Sequence, residues 1–469
     1  MTDPLAAEDF RMLGHRLIDL LADHLQATAR RQDPVLRWQE PDAMLASVPA
    51  VDPAGGADPL AFAARLCRDA NHLHDPRFVG HQVSAPLPLA VLFETVTSLL
   101  NNGMAIYEMG PLTTMAEQRL LEWLAARLGL PTTAGGVMTS GGSLGNLTAL
   151  LAARQLRARG DAWQHGSERA TIFTSEQAHY CIDRTARILG FGAAGCVSIA
   201  VDAQFRMRPD ALRTAIARCR QDGRQPLAVV ASACTTATGT FDPLPALAEI
   251  CRREQLWLHV DGAHGAPFAL TSRRRERLRG LELADSIVCD LHQMLQMPAL
   301  STAVLYRDGR HATAPFAQQA AYLFADTADR EWFNRGHRTL ECTKRGFGAV
   351  AYGCLQTLGE RPFIAALEHA LDLAEHLASA VQAAPDFELA LPPDCNIVCF
   401  RHAPPGVTDR DAHNRRIRAA IVQSGAFYLV QTTLPRGLFL RCTLLNPRTT
   451  TADLDALLAA IRAAATAGD

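Results

Sequence analysis

Leu256-Trp257-Leu258-His259-Val260-Asp261-Gly262-Ala263-His264 reads as an apolar strand that ends on a carboxylate and a glycine. Four further β-rich runs stand around it, at residues 170–174, 196–201, 227–232 and 286–289. Each is an almost unbroken apolar run separated from the next by a helical segment, the signature of strands buried on both faces. The stretch from about residue 85 to 350 therefore predicts an α/β fold: a mostly parallel sheet covered by helices. Open sheets of this kind bind ligands beyond the carboxyl ends of their strands, which makes Asp261 the first candidate functional residue. An aspartate in that place serves equally well to cap the following helix.

Outside this region, residues 10–25 repeat apolar side chains at helical spacing until a Pro/Ala/Gly-rich stretch at 48–59 breaks the pattern, giving an N-terminal helical arm. Toward the other end, a helix at 364–382 precedes strand-like runs at 396–401 and 438–443, which flank a helix at 413–424. A last helix closes a small α+β domain. The expected division is an arm at 1–84, a large domain at 85–360 and a small domain at 361–469.

With 48% hydrophobic and 20% charged residues and a formal net charge of −2, the 469-residue chain has no field that would gather nucleic acid or anionic lipid. No basic segment leads into an apolar one at the N-terminus, and no apolar run is long enough to span a bilayer, so a cytoplasmic location is expected. Twelve cysteines lie singly without a CxxC pair, which favours reduced thiols over a disulfide framework. Among 46 Lys and Arg residues there is one lysine, Lys344, so amine chemistry on a carbonyl group has a single lysine candidate.

Thr139-Ser-Gly-Gly-Ser-Leu-Gly-Asn146 leads straight into an apolar helix at 147–154. Its glycines permit a tight turn whose free N–H groups, together with the helix N-terminus, suit a phosphate; an ordinary helix start has the same composition. Ser143, Leu144 and Gly145 occupy that loop. His179 follows another strand, where its ring can stack on a flat ligand or simply pack, and Thr235-Thr236 follows a third. The convergence of several strand ends on a phosphate loop, a stackable ring, a carboxylate and a hydroxyl pair raises the case above any one of them. Cys289, Asp290, His292 and His264 have irregular spacing, as do Cys67, His72, His74 and His81. Neither group matches a metal-ligand pattern, and no resident metal is expected.

Several stretches in order, Tyr107-Glu-Met-Gly-Pro111, Gly141-Gly-Ser-Leu-Gly-Asn146, His179, Thr235-Thr236 with Asp242-Pro-Leu244, His259-Val-Asp261, Ala284-Asp-Ser286 and Arg338-Thr-Leu-Glu-Cys-Thr-Lys344, resemble the group II pyridoxal-phosphate (PLP) dependent amino-acid decarboxylases. That family includes aromatic amino acid, glutamate, histidine and diaminobutyrate decarboxylases. The resemblance covers nearly the whole chain and implies a fold type I homodimer with active sites at the subunit interface, an amino-acid substrate and PLP or pyridoxamine phosphate as cofactor. By matching position, Ser143 and Gly145, with Leu144 between them, would contact phosphate. Asp261 would pair with the pyridine nitrogen, and His179 and Ala263 would lie on opposite ring faces. Thr236 and His292 would line the pocket, and Tyr322 resembles the loop tyrosine that returns a proton to the substrate.

One position departs from the pattern. The family reads Asp/Asn-x-His-Lys where this chain reads Asp290-Leu-His-Gln293, and Lys344 matches a family lysine outside the Schiff-base role. An amide nitrogen is delocalised into its carbonyl and does not condense with an aldehyde, so any cofactor is expected to be noncovalent. Such a protein is expected to be a decarboxylase of lysine-independent or impaired chemistry, with His179, His292 or Tyr322 moving protons. The alternatives are a pseudoenzyme that senses a ligand or partners an active paralogue, and an inactivated variant of an ordinary decarboxylase.

Overall fold

A computed structural model of the chain describes residues 6–158, 162–316 and 330–466. They fall into two compact units. The first joins Met1–His81 to His369–Pro392 and Asn396–Asp469, and the second comprises Gln82–Glu368 with Pro393–Cys395. The N-terminal segment thus belongs with the C-terminal sheet instead of standing as a separate arm at 1–84. Backbone bonds show why: Val79 donates to Tyr428 O at 2.9 Å, Thr443 to Val79 O at 2.8 Å and Val35 to Gly425 O at 2.8 Å. The Arg31 guanidinium adds a fork on the Asp453 carboxylate.

The larger unit is built on seven strands: β1 (Gly135–Thr139), β2 (Ala170–Ser175), β3 (Cys196–Ile199), β4 (Gln225–Ser232), β5 (Trp257–Asp261), β6 (Ser286–Asp290) and β7 (Thr302–Tyr306). Their order in the sheet is β1-β7-β6-β5-β4-β2-β3. The central pairs β2–β3, β2–β4, β4–β5 and β5–β6 are parallel, and β7 runs antiparallel to both β6 and β1. All five runs recognised in the sequence are strands of this sheet. β1 and β7 escape the apolar-run pattern, because β1 opens on two glycines and β7 follows a proline-containing loop. The helix Gly142–Arg157 lies on the sheet because Gly145 has no side chain: a Cβ there would stand 3.1 Å from Thr302 Cγ2 and 3.2 Å from Val288 Cγ2.

The smaller unit carries β8 (Phe387–Leu389), β9 (Ile397–His402), β10 (Val430–Leu434) and β11 (Gly437–Thr443), antiparallel in the order β10-β11-β9-β8. Its core includes Leu377, Phe400, Ile417, Leu440 and Ile461, contributed by the strands and by the helices Arg361–Ala383, Arg410–Ser424 and Thr451–Thr466. Among the described residues no helix is long and apolar enough to cross a membrane.

The lone lysine has a structural post. Lys344 Nζ is buried against Glu117 Oε2, while Arg335 Nε lies 3.6 Å from Glu117 Oε1. Met138 N, on β1, donates to the same carboxylate at 3.3 Å. Burial holds the lysine below its ordinary pKa, and Glu117 partly offsets that shift. Removing one partner from such a group strands a buried charge, a loss of about 3–5 kcal/mol. Glu117→Ala, which leaves both Lys344 and Arg335 unmatched, is expected to lose stability in that range by denaturant titration. Lys344→Ala is expected to lose less, because Arg335 remains beside the carboxylate.

Candidate functional site

The parallel strands β4, β5 and β6 end side by side, with Ser232 opposite Asp261 and Asp261 opposite Val288, so Asp261 and Asp290 emerge at one edge of the sheet. Asp261 is the end of a directed series of hydrogen bonds. Trp257 Nε1 donates to Ser286 Oγ at 2.8 Å, and that hydroxyl lies 2.8 Å from His259 Nδ1. His259 Nε2 is 2.7 Å from Asn146 Oδ1, and Asn146 Nδ2 donates to Asp261 Oδ2 at 3.1 Å. Because Asn146 presents its carbonyl to the ring, the imidazole proton sits on Nε2 and Nδ1 accepts from Ser286. Complete burial pushes the His259 pKa down to about 3, so the ring stays neutral and the series keeps its direction.

Asp261 Oδ1 also accepts from Ala263 N at 3.2 Å. Desolvation nonetheless raises its pKa, and His179 stands close enough to oppose that rise. Burial lowers the pKa of His179, with Asp261 working against it and Arg184 with it. Among the described residues no arginine or lysine pairs with Asp261, so its neutral donors leave it suited to a cationic N–H.

The loop before the helix Gly142–Arg157 reaches the same edge. A Cβ on Gly142 would lie 3.2 Å from Asp290 Oδ2 and 3.5 Å from the Ala263 methyl. Ser143 is exposed and Leu144 half-buried at the start of this helix, where the first N–H groups have no partner within it. Gly145 differs from the sequence expectation. Its N–H is spent on Gly141 O at 3.0 Å, and its contribution is the close approach of helix to sheet. After β4, Thr235, Thr238 and Thr240 close a buried ring of hydroxyls at 2.8–3.0 Å, and Asp242 accepts from Ser232 N at 2.8 Å. Thr236, half-buried, is carried on this fixed turn.

Gln293 sits in a second polar group. Its Nε2 donates to Asp290 Oδ2, and its Oε1 is 2.8 Å from His264 Nδ1. Thr302 Oγ1 donates to Asp290 Oδ1. Burial raises the Asp290 pKa to about 6 against the pull of His292 and these donors. His292 is buried beside Asp290, its Nε2 3.6 Å from Oδ2 and its Nδ1 3.0 Å from Ser301 O. Tyr322 lies outside the described residues. Sequence reasoning assigned no role to Asn146, His259, Asp290 or His264. The one available signal was a histidine inside the apolar run of β5, which a buried strand tolerates only with partners.

Residues 62–403 match the model of the pyridoxal-dependent decarboxylase conserved domain. The chain belongs to the pyridoxal-dependent decarboxylase family. It is 30% identical to an aromatic-L-amino-acid decarboxylase of Bacillus atrophaeus, covering 98% of this chain and 96% of that one. It is 36% identical to an L-2,4-diaminobutyrate decarboxylase of Rhizobium meliloti (strain 1021), covering 81% and 74%. The crystal structure of mouse CSAD superimposes with a TM-score of 0.90 at 26% identity over 99% of both chains.

The residues present fit a pyridoxal phosphate. Asp261, with which no arginine or lysine among the described residues pairs, suits a protonated pyridine nitrogen, the helix start at Gly142 suits a phosphate, and His179 and Ala263 lie near the carboxylate.

The depressed His259 pKa has a direct readout. On acidification the unfolded chain takes up this proton first, so the residue removes stability as pH falls below about 6.5. In ¹⁵N-histidine NMR, His259 is expected to remain the neutral Nε2–H tautomer at pH 5, where exposed histidines are charged. Titration of this ring above about pH 5 would contradict the directed series.

Proposed function

We propose that the chain is a decarboxylase-family protein acting on an L-amino acid, in which Gln293 stands at the family's lysine position and the cofactor is held by noncovalent contacts alone. The observation that carries this reading is the fate of the amines. Gln293 offers an amide engaged by Asp290 and His264, and the one lysine of the chain is buried against Glu117.

When bound, PLP supplies an electron sink for the pair left at Cα as CO2 departs. The protein's own contributions follow from its geometry. The series through His259 and Asn146 holds Asp261 in place to accept a pyridinium N–H. Ser143 and Leu144 at the helix start would hold the phosphate, and Ala263 would leave room for a flat ring. His179, whose pKa burial lowers, is neutral at pH 7 and can take or return a proton near Cα. In the same reading the protein is a cytoplasmic homodimer with sites at the subunit interface, and Tyr322 supplies a further proton.

A second reading, a ligand sensor or a partner of an active paralogue, is favoured by the engagement of both ends of the Gln293 amide, which leaves nothing to exchange product for a new substrate. One experiment divides the two. Protein loaded with PLP is dialysed and treated with borohydride beside Gln293→Lys, and both are assayed for CO2 release across an amino-acid panel. The wild type is expected to lose PLP on dialysis, to carry no reduced adduct on Lys344 and to release CO2 slowly. Gln293→Lys is expected to retain PLP, to carry the adduct at residue 293 and to gain at least about 100-fold in rate. An adduct on Lys344 overturns the proposal, and no amino-acid-dependent CO2 from the wild type gives the sensor reading its place.

A further inference from the structure

The sequence spacing shows no metal pattern, yet three distant segments bring Cys234, His264 and Cys395 together with their ligating atoms all within 4.8 Å of one another. We propose that these three side chains bind a thiolate-preferring divalent cation, zinc, next to Gln293.

The geometry is the first support. Cys234 Sγ and Cys395 Sγ are 3.7 Å apart. Two thiolates at about 2.3 Å from one tetrahedral zinc are separated by about 3.8 Å, whereas a disulfide needs about 2.05 Å. The sulfurs already stand where one ion would hold them, and the imidazole has to close by no more than about 1 Å to reach a Zn–N distance near 2.0 Å.

The second support is the hydrogen bond to the histidine. Gln293 turns its NH2 toward the Asp290 carboxylate, which leaves the carbonyl oxygen facing His264 Nδ1 at 2.8 Å. Nδ1 therefore carries the ring proton, so an ion bound by this ring would be taken through Nε2. Metal-bound histidines ordinarily donate their other N–H to a carboxylate or carbonyl in this way, which fixes the tautomer and raises ligand basicity. A lysine at 293 has only donors to offer, so the glutamine is what supplies the acceptor.

Charge and anchorage agree. Cys234, His264 and Cys395 are 7%, 2% and 0% exposed, and two thiolates with one dication sum to zero, the one arrangement of these charges that burial tolerates. Binding releases one proton from each thiol to water, with no change of oxidation state. Cys395 is held in the larger unit by its neighbour: Asp394 receives Arg206 at 3.0 Å and Arg277 at 2.8 Å, and its carbonyl accepts from Arg274 Nε at 3.0 Å. Cys234 and His264 follow β4 and β5, and Gly265 N donates to Ala233 O at 2.9 Å, binding those two turns together. Three protein ligands leave the fourth tetrahedral position for water.

The test titrates reduced full-length protein with zinc alone against a chromophoric chelator, and measures metal by mass spectrometry after gel filtration. The expected result is one zinc per chain, weakened at least about 100-fold in Cys234→Ser/Cys395→Ser and about 10–100-fold in Gln293→Leu. Zinc retained equally by wild type and the double variant overturns the proposal, as does wild-type protein recovered metal-free with a Cys234–Cys395 disulfide. Should the double variant fail to fold by circular dichroism, cobalt added to the wild type decides: a sulfur-to-cobalt charge-transfer band supports the site and its absence refutes it.

Discussion

A carboxylate kept in place by neutral donors is the constraint on which the site depends. Asp261 ends a parallel strand in the middle of a sheet, half-buried and partly desolvated, where an unsupported charge is costly. Indole, hydroxyl, imidazole and amide pass hydrogen bonds toward it in one direction, and no member can be reversed without leaving a buried donor facing a donor. The arrangement orients the carboxylate without neutralising it. A cationic ring nitrogen would bring this carboxylate the charged partner that no arginine or lysine among the described residues supplies.

Beside this centre lies a second one, organised around Asp290. It collects the Gln293 amide, the Thr302 hydroxyl and the edge of His292, and the Gly142 backbone passes close above it. The side chain that Gln293 brings to this centre is an amide, with a donor at one end and an acceptor at the other. Its carbonyl accepts from His264. The two halves of the amide face opposite neighbours, a carboxylate and an imidazole, and so connect the strand ends β5 and β6 through hydrogen bonds alone.

Lys344 shows how position decides what a functional group can do. Its amine is buried in an ion group with Glu117 and Arg335, below the sheet's first strand, and serves the packing of the helix Pro111–Arg127. Gly145 makes a related point. It stands inside a phosphate-loop sequence, but its N–H is committed within the turn and its missing side chain brings helix and sheet together.

The sequence by itself determined the parallel core, since five apolar runs between helical segments admit few other solutions, and it placed Asp261, His179 and the loop at Gly142 at strand ends. It also fixed the amide at 293, which is a matter of residue identity. Tertiary structure alone decided which side chains meet. Nothing local shows that Asn146 joins His259 to Asp261, that Cys395 approaches Cys234 across 161 positions, or that the N-terminal segment packs with the C-terminal sheet. Periodicity records which face of an element is apolar, a property of neighbours along the chain. Hydrogen-bond partners between segments depend on register and crossover, which are set only when the sheet closes.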